Sequence, residues 1–114
     1  MDTGTYIKLR EKLEHRINPI ILKQTDYIFI LWEEIYNKFK ESKSSYRQYI
    51  SEKIEYAPFF ILEALHFKLK SPMFSITKFL DSKIKLDSDE INQFSDLKKF
   101  NKEIQIFKEL IKKY

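Results

Sequence analysis

The chain has 114 residues, the length of one domain, and its 43% hydrophobic content is enough to build a core without a metal or disulfide. It contains no cysteine, which excludes disulfide frameworks, thiolate metal sites and cysteine nucleophiles together. The net charge is +4, but Arg10, Arg16 and Arg47 are its only arginines. A surplus made of lysine favours solubility over bidentate recognition, so it permits a nucleic-acid partner without demanding one.

Sheet architecture is disfavoured from the outset. Gly4 is the single glycine and valine is absent, whereas hairpins draw on glycine and strands on β-branched residues. The N-terminus is polar and charged through Arg16, unlike a secretory signal. The unbroken apolar run at 27–32 falls far short of the roughly 20 residues of a membrane span. A soluble, cytoplasmic protein is expected.

Breaks in the chain define six helical segments. The first spans about 5–17, with Tyr6, Leu9, Leu13 and Ile17 on one side. Asn18-Pro19 reads as an N-cap followed by proline at the first helical position. It opens a second helix over 19–41, with a possible restart at Thr25-Asp26, that buries Ile28, Trp32, Ile35 and Phe39. A loop at 42–45 precedes a short third helix, 46–55, carrying Tyr46, Tyr49, Ile50 and Ile54. The fourth, 58–70, is apolar around much of its circumference from Phe59 to Phe67, as a buried helix is.

Ser71-Pro72 repeats the cap-and-proline device and predicts a fifth helix over 72–84, with Met73, Ile76, Phe79, Leu80 and Ile84 inward. Asp87, followed by Glu90 at the third position, resembles a capping box and opens the sixth. In that helix Leu97, Phe100, Ile104, Phe107 and Ile111 fall within an arc of roughly 80° at 100° per residue. Lys98, Lys102, Glu109, Lys112 and Lys113 lie opposite. The expected fold is therefore all-α, a compact bundle of five to six helices in one domain over 1–114. The fourth segment and the 27–32 run pack together at its centre.

Few residue patterns in the chain point to catalysis. With one glycine there is no phosphate-cradling loop and no elbow to present a serine. His15 and His66 are the only histidines, and Glu63, three residues before His66, is no more than a permissive metal spacing. No metal and no cofactor is expected. Arg10 and His15, with four residues between them, resemble the Arg-x4-6-His signature of the HEPN family of helical ribonucleases, across six residues of the chain. That resemblance implies that the pair acts on an RNA phosphodiester. Leu65-His66-Phe67-Lys68-Leu69-Lys70 resembles the phosphohistidine segment of HPt phosphotransfer domains, with His66 as the modified residue. Leu69 and Lys70 stand where that family has lysine and glycine.

Two helices around Ser71-Pro72 are compatible with a helix-turn-helix that directs Ser75, Thr77, Lys78, Ser82 and Lys83 to DNA, with Asp81 unfavourable to it. Further basic groups occur at Lys8, Arg10, Lys12 and Arg16 and at Lys38, Lys40, Lys43 and Arg47, most of them interspersed with glutamate.

Without an organised polar constellation, a non-catalytic role through surface binding is the leading expectation: an adaptor, assembly subunit or small inhibitor of a larger intracellular machine. Tyr46, Tyr49, Tyr56 and Phe59 around a helix break are candidate partner anchors. Ile106 and Leu110, beside the main stripe of the sixth helix, are candidates for pairing with another protein or a second copy. The alternative is a nucleic-acid-associated subunit or DNA-binding regulator that grips phosphates through Lys98, Lys102, Lys112 and Lys113, with Lys78.

Overall fold

A computed structural model describes residues 3–40 and 54–114. Among them are six helices: α1 Thr3–Glu11, α2 Pro19–Lys40, α3 Ala57–Lys70, α4 Ile76–Lys83, α5 Ser88–Gln93 and α6 Ser95–Lys113. No strand occurs among the described residues. The radius of gyration of 14.1 Å is close to the ~13 Å of a compact chain of this length. The fold is an all-α bundle. The expected loop at 42–45 and nearly all of the expected third helix, including Tyr46 and Tyr49, lie outside the described residues, as do the side chains of Phe39 and Glu90.

Helix α2 organises the bundle. Asn18 Oδ1 accepts from the Ile20 N–H at 2.8 Å, and Leu22 N–H donates to the Asn18 carbonyl at 3.1 Å, so the chain enters the helix capped as expected. The helix does not restart at Thr25-Asp26. The buried Thr25 hydroxyl donates to the Ile21 carbonyl at 2.8 Å, which satisfies it inside a continuous helix. Ile21, Leu22, Ile28, Phe29, Leu31, Trp32 and Ile35 are buried along its length. It packs against both α3 and α6, so the expected pairing of the two most apolar segments holds, with α6 as a further partner.

Helix α1 ends six residues before the expected boundary. Leu13 N–H donates to the Arg10 carbonyl at 2.9 Å and Arg16 N–H to that of Leu13 at 2.9 Å, so tight turns replace the last helical turns. The physical reason is reversal of the chain. Thr3 reaches Glu33, Tyr6 stacks on Phe29 with centroids 4.0 Å apart, and Arg10 meets Asp26. These contacts require α1 to run antiparallel to α2, and a helix continued to Ile17 would overshoot the reversal. The turn carries Leu13 fully into the core.

A second correction concerns Ser71-Pro72. Helix α4 starts at Ile76, with Ser75 as its cap accepting from the Lys78 N–H at 3.3 Å. Residues 71–74 form a turn closed by Phe74 N–H on the Ser71 carbonyl at 2.9 Å. The Lys68 ammonium bonds to the Pro72 and Phe74 carbonyls and holds that backbone outside a helix. Met73, expected in the core, is therefore 93% exposed.

The segment opening at Asp87 is also two helices. Asp87 accepts from the Asp89 N–H at 2.8 Å to start α5, but Phe94 adopts an extended conformation (φ −132°, ψ 115°) and separates α5 from α6. This lets the Phe94 ring pack against the core. In α6 the expected stripe is realised: Leu97, Phe100, Ile104 and Phe107 are buried and Ile111 is partly so.

Aromatic rings join the helices in two groups. Tyr6, Phe29, Trp32 and Tyr36 form a stacked column, with successive centroids 4.0, 5.8 and 5.0 Å apart. The Trp32 indole N–H is satisfied by the Ile54 carbonyl. Phe67, Phe74 and Phe79 make mutual contacts at 5.4, 5.7 and 5.5 Å that fasten α4 to α3, two of them in the edge-to-face geometry that ring quadrupoles favour and the third tilted.

Phe107→Ala is expected to destabilise the fold by about 3–5 kcal/mol and Asn18→Ala by about 1 kcal/mol. Met73→Ala is expected to change stability by less than about 0.5 kcal/mol. Urea denaturation followed by circular dichroism measures all three. A large loss for Met73→Ala would contradict the turn at 71–74.

Candidate functional site

The strongest polar arrangement joins α1 to α2. Arg10 Nε donates to both carboxylate oxygens of Asp26, at 2.8 and 2.9 Å, while its Nη1 lies 3.4 Å from Glu14. The Tyr6 hydroxyl donates to Asp26 at 2.9 Å. Burial, then the charge and hydrogen bond of Asp26, push the Tyr6 phenol well above its ordinary range. The hydrogen bond to Asp26 likewise raises Arg10. Arg10 thus clamps two helices together, and His15 lies exposed in the turn that follows.

His66 is partly buried on α3, with Nε2 3.3 Å from the Leu9 carbonyl. Because a carbonyl only accepts, Nε2 carries the proton there and Nδ1 is left for other partners. The ring borders a cleft of about 610 Å³. One wall is Leu9, Lys12 and Arg16, from α1 and its turn. The other comprises Phe59, Glu63, His66, Phe67 and Lys70 from α3, whose spacing sets them on one helical face. Residues that the sequence presents as unrelated groups thereby meet: the aromatic Phe59, the histidine His66 and the basic Lys12 and Arg16.

The outer face of α6 carries the other candidates. Lys98, Lys102, Lys112 and Lys113 are exposed, with Lys112 3.5 Å from Glu109. Ile106 is 38% exposed and Leu110 partly so. They border a shallow depression of about 650 Å³ shared with Lys102 and Lys113. The Gln24 side-chain amide donates to the Glu103 carbonyl at 3.0 Å and carboxylate at 2.8 Å, while Lys38 pairs with Asp96 at 3.0 Å. These contacts set α2 and α6 antiparallel. Ile20, one turn before Gln24, and Ile106, nearly one turn after Glu103, therefore lie at the same end of their seam.

The sequence reading missed the contribution of α2 to this face. Ile20 is 49% exposed, Tyr27 43% and Ile30 54%. Treating 27–32 as buried all round overlooked a signal that was available. At 100° per residue, Ile20, Tyr27 and Ile30 share an arc of roughly 80°, away from the direction of Ile21, Ile28 and Trp32.

The remaining candidates are distributed elsewhere. Tyr56 is exposed and meets Phe60 edge-on at 6.5 Å. Lys78 is exposed on α4. Most of the other residues read as DNA-facing have intramolecular roles. Ser75 caps α4, the Ser82 hydroxyl donates to the Phe79 carbonyl at 2.7 Å, and Lys83 sits 5.7 Å from the Phe60 ring centre. Asp81 pairs with Lys108 at 2.6 Å.

Two measurements test the α1–α2 clamp. Asp26→Ala should destabilise the fold by about 1–3 kcal/mol, because it strands both the Tyr6 hydroxyl and Arg10. The raised Tyr6 pKa gives a sign for alkaline pH. Its contribution to stability is fully present below the unfolded value of 10.0 and is lost as pH climbs from there toward the folded value. Tyr6→Phe should therefore show a shallower loss of stability above pH 10 than the parent chain; equal slopes in thermal melts would refute the burial of an un-ionised phenol.

Among the described residues no helix is long and apolar enough to cross a membrane. Comparison with known protein families, curated proteins and solved structures gives no match to this chain.

Proposed function

We propose that the protein acts without catalysis, by binding another macromolecule through the face shared by α2 and α6, as an adaptor, assembly subunit or small inhibitor. The observation that carries this reading is the exposure of Ile20, Tyr27, Ile30 and Ile106, between 38% and 54%, on two helices that pack side by side. Scattered apolar residues on a surface are ordinary, but a grouped set is characteristic of interaction sites. Tyrosine and isoleucine here leave the fold's own core intact, since the opposite sides of both helices supply it. The partner suited to this face is a protein with an apolar ridge, its flanks compatible with the exposed Lys23 of α2 and Lys99, Lys102 and Lys113 of α6, or a second copy of the chain.

A nucleic-acid reading has separate support. Lys98, Lys102 and Lys113 are exposed on α6 and have no ion pair among the described residues, which leaves them available to phosphates.

The double variant Ile20→Asp/Ile106→Asp separates function from folding. It should melt as the parent does, because surface changes alter stability by less than about 0.5 kcal/mol each. It should also lose partners captured from the native cell and any dimer seen by light scattering. Retention of every partner and of the parent's solution mass would overturn the protein-binding reading. Titration with duplex and single-stranded oligonucleotides at two salt concentrations addresses the alternative. Saturable binding that weakens steeply with salt, and disappears in Lys98→Glu/Lys102→Glu/Lys112→Glu, would replace the first reading with the second.

A further inference from the structure

We infer that the cleft between α3 and the turn after α1 binds a small organic phosphate, a phosphomonoester attached to an aryl or alkyl body. This site is distinct from the α2–α6 face and does not depend on it. Its first support is volume and shape. The cleft of about 610 Å³ lies within the roughly 300–1,000 Å³ typical of small-molecule sites, and its two walls come from different parts of the chain.

The second support is charge. Lys12, Arg16 and Lys70 line the cleft, and among the described residues none of the three side chains makes an ion pair or hydrogen bond. Glu63 is the one carboxylate in the lining, so three cations and one anion leave a formal surplus of two positive charges. A phosphomonoester carries about −1.5 to −2 at neutral pH and matches that surplus; a carboxylate would meet half of it. Arg16 supplies a planar fork suited to phosphate oxygens, while the lysines act as mobile point charges. His66 has committed Nε2 to the Leu9 carbonyl, so its role here is to brace one wall against the other.

The third support is the apolar lining. Leu9, Phe59 and Phe67 contribute to it, and Phe67 remains exposed even though the same ring packs edge-on against Phe74 and Phe79. Inorganic phosphate would leave this surface wet. An aryl or alkyl body would cover it, and burial of that area together with the charge match selects for a ligand that has both parts.

The test is calorimetric titration of the whole chain with 1-naphthyl phosphate, inorganic phosphate and 1-naphthol as separate probes. The inference requires saturable binding of 1-naphthyl phosphate at least about tenfold tighter than either other probe, weakening as salt is raised. Arg16→Ala/Lys70→Ala should weaken it at least about tenfold. Glu63→Gln should tighten it, a gain that a misfolded variant cannot mimic. Ile20→Asp/Ile106→Asp should leave it unchanged, which distinguishes failure of this site from failure of the α2–α6 face. Equal affinity for the three probes, no saturation, or indifference to the loss of Arg16 and Lys70 would overturn the inference.

Discussion

Burial of one long helix on several sides at once is the constraint from which the rest of this architecture follows. α2 presents Ile21, Ile28, Trp32 and Ile35 to the interior, with α3 and α6 packed against it and α1 laid along it through Tyr6 and Arg10. α3, apolar around much of its circumference, shares the centre and packs against α1, α2 and α4. With no disulfide available, apolar burial has to supply most of the stabilisation, and the polar contacts mainly set the angles at which the helices meet. The Asp26 clamp holds α1 antiparallel to α2, and Gln24 with Lys38 aligns α6.

The aromatic residues show how such packing is made specific. Many of the rings are internal. The column Tyr6–Phe29–Trp32–Tyr36 and the cluster of Phe67, Phe74 and Phe79 are joints between elements. Flat rings fix relative orientation more tightly than aliphatic side chains do, because only some mutual geometries are favourable. Tyr27 and Tyr56 remain among the exposed aromatics, and Tyr27 belongs to the α2 face on which the proposed function rests.

The two surfaces of interest differ in kind. The α2–α6 face carries the exposed apolar side chains Ile20, Tyr27, Ile30 and Ile106 with lysines among them, and an extended partner is proposed for it. The α3 cleft is walled, cationic and small, which suits a compact ligand. Both exist because a helix with three or four sides occupied still has one left over. The residues on that remaining side are free of packing constraints and are where chemistry can be placed.

Much of the architecture was legible in the sequence. Scarcity of glycine, absence of valine and a period near 3.6 identify an all-helical chain, and the α6 stripe and the Asn18 cap follow from spacing and local hydrogen-bonding capacity alone. Such features are local, so the chain carries them without reference to its neighbours. The early end of α1, the exposure of Met73, the break at Phe94 and the open face of α2 were decided elsewhere. Each depends on where another helix lies: the reversal demanded by the α1–α2 contacts, the reach of Lys68 to the carbonyls of Pro72 and Phe74, the core space that receives Phe94, and the absence of a covering helix over Tyr27 and Ile30 among the described residues. The cleft belongs to this second group, since Arg16 and Lys70 become neighbours of one cavity only after the chain has turned back on itself. Periodicity reports which side of a helix is apolar; only packing determines which sides find a partner.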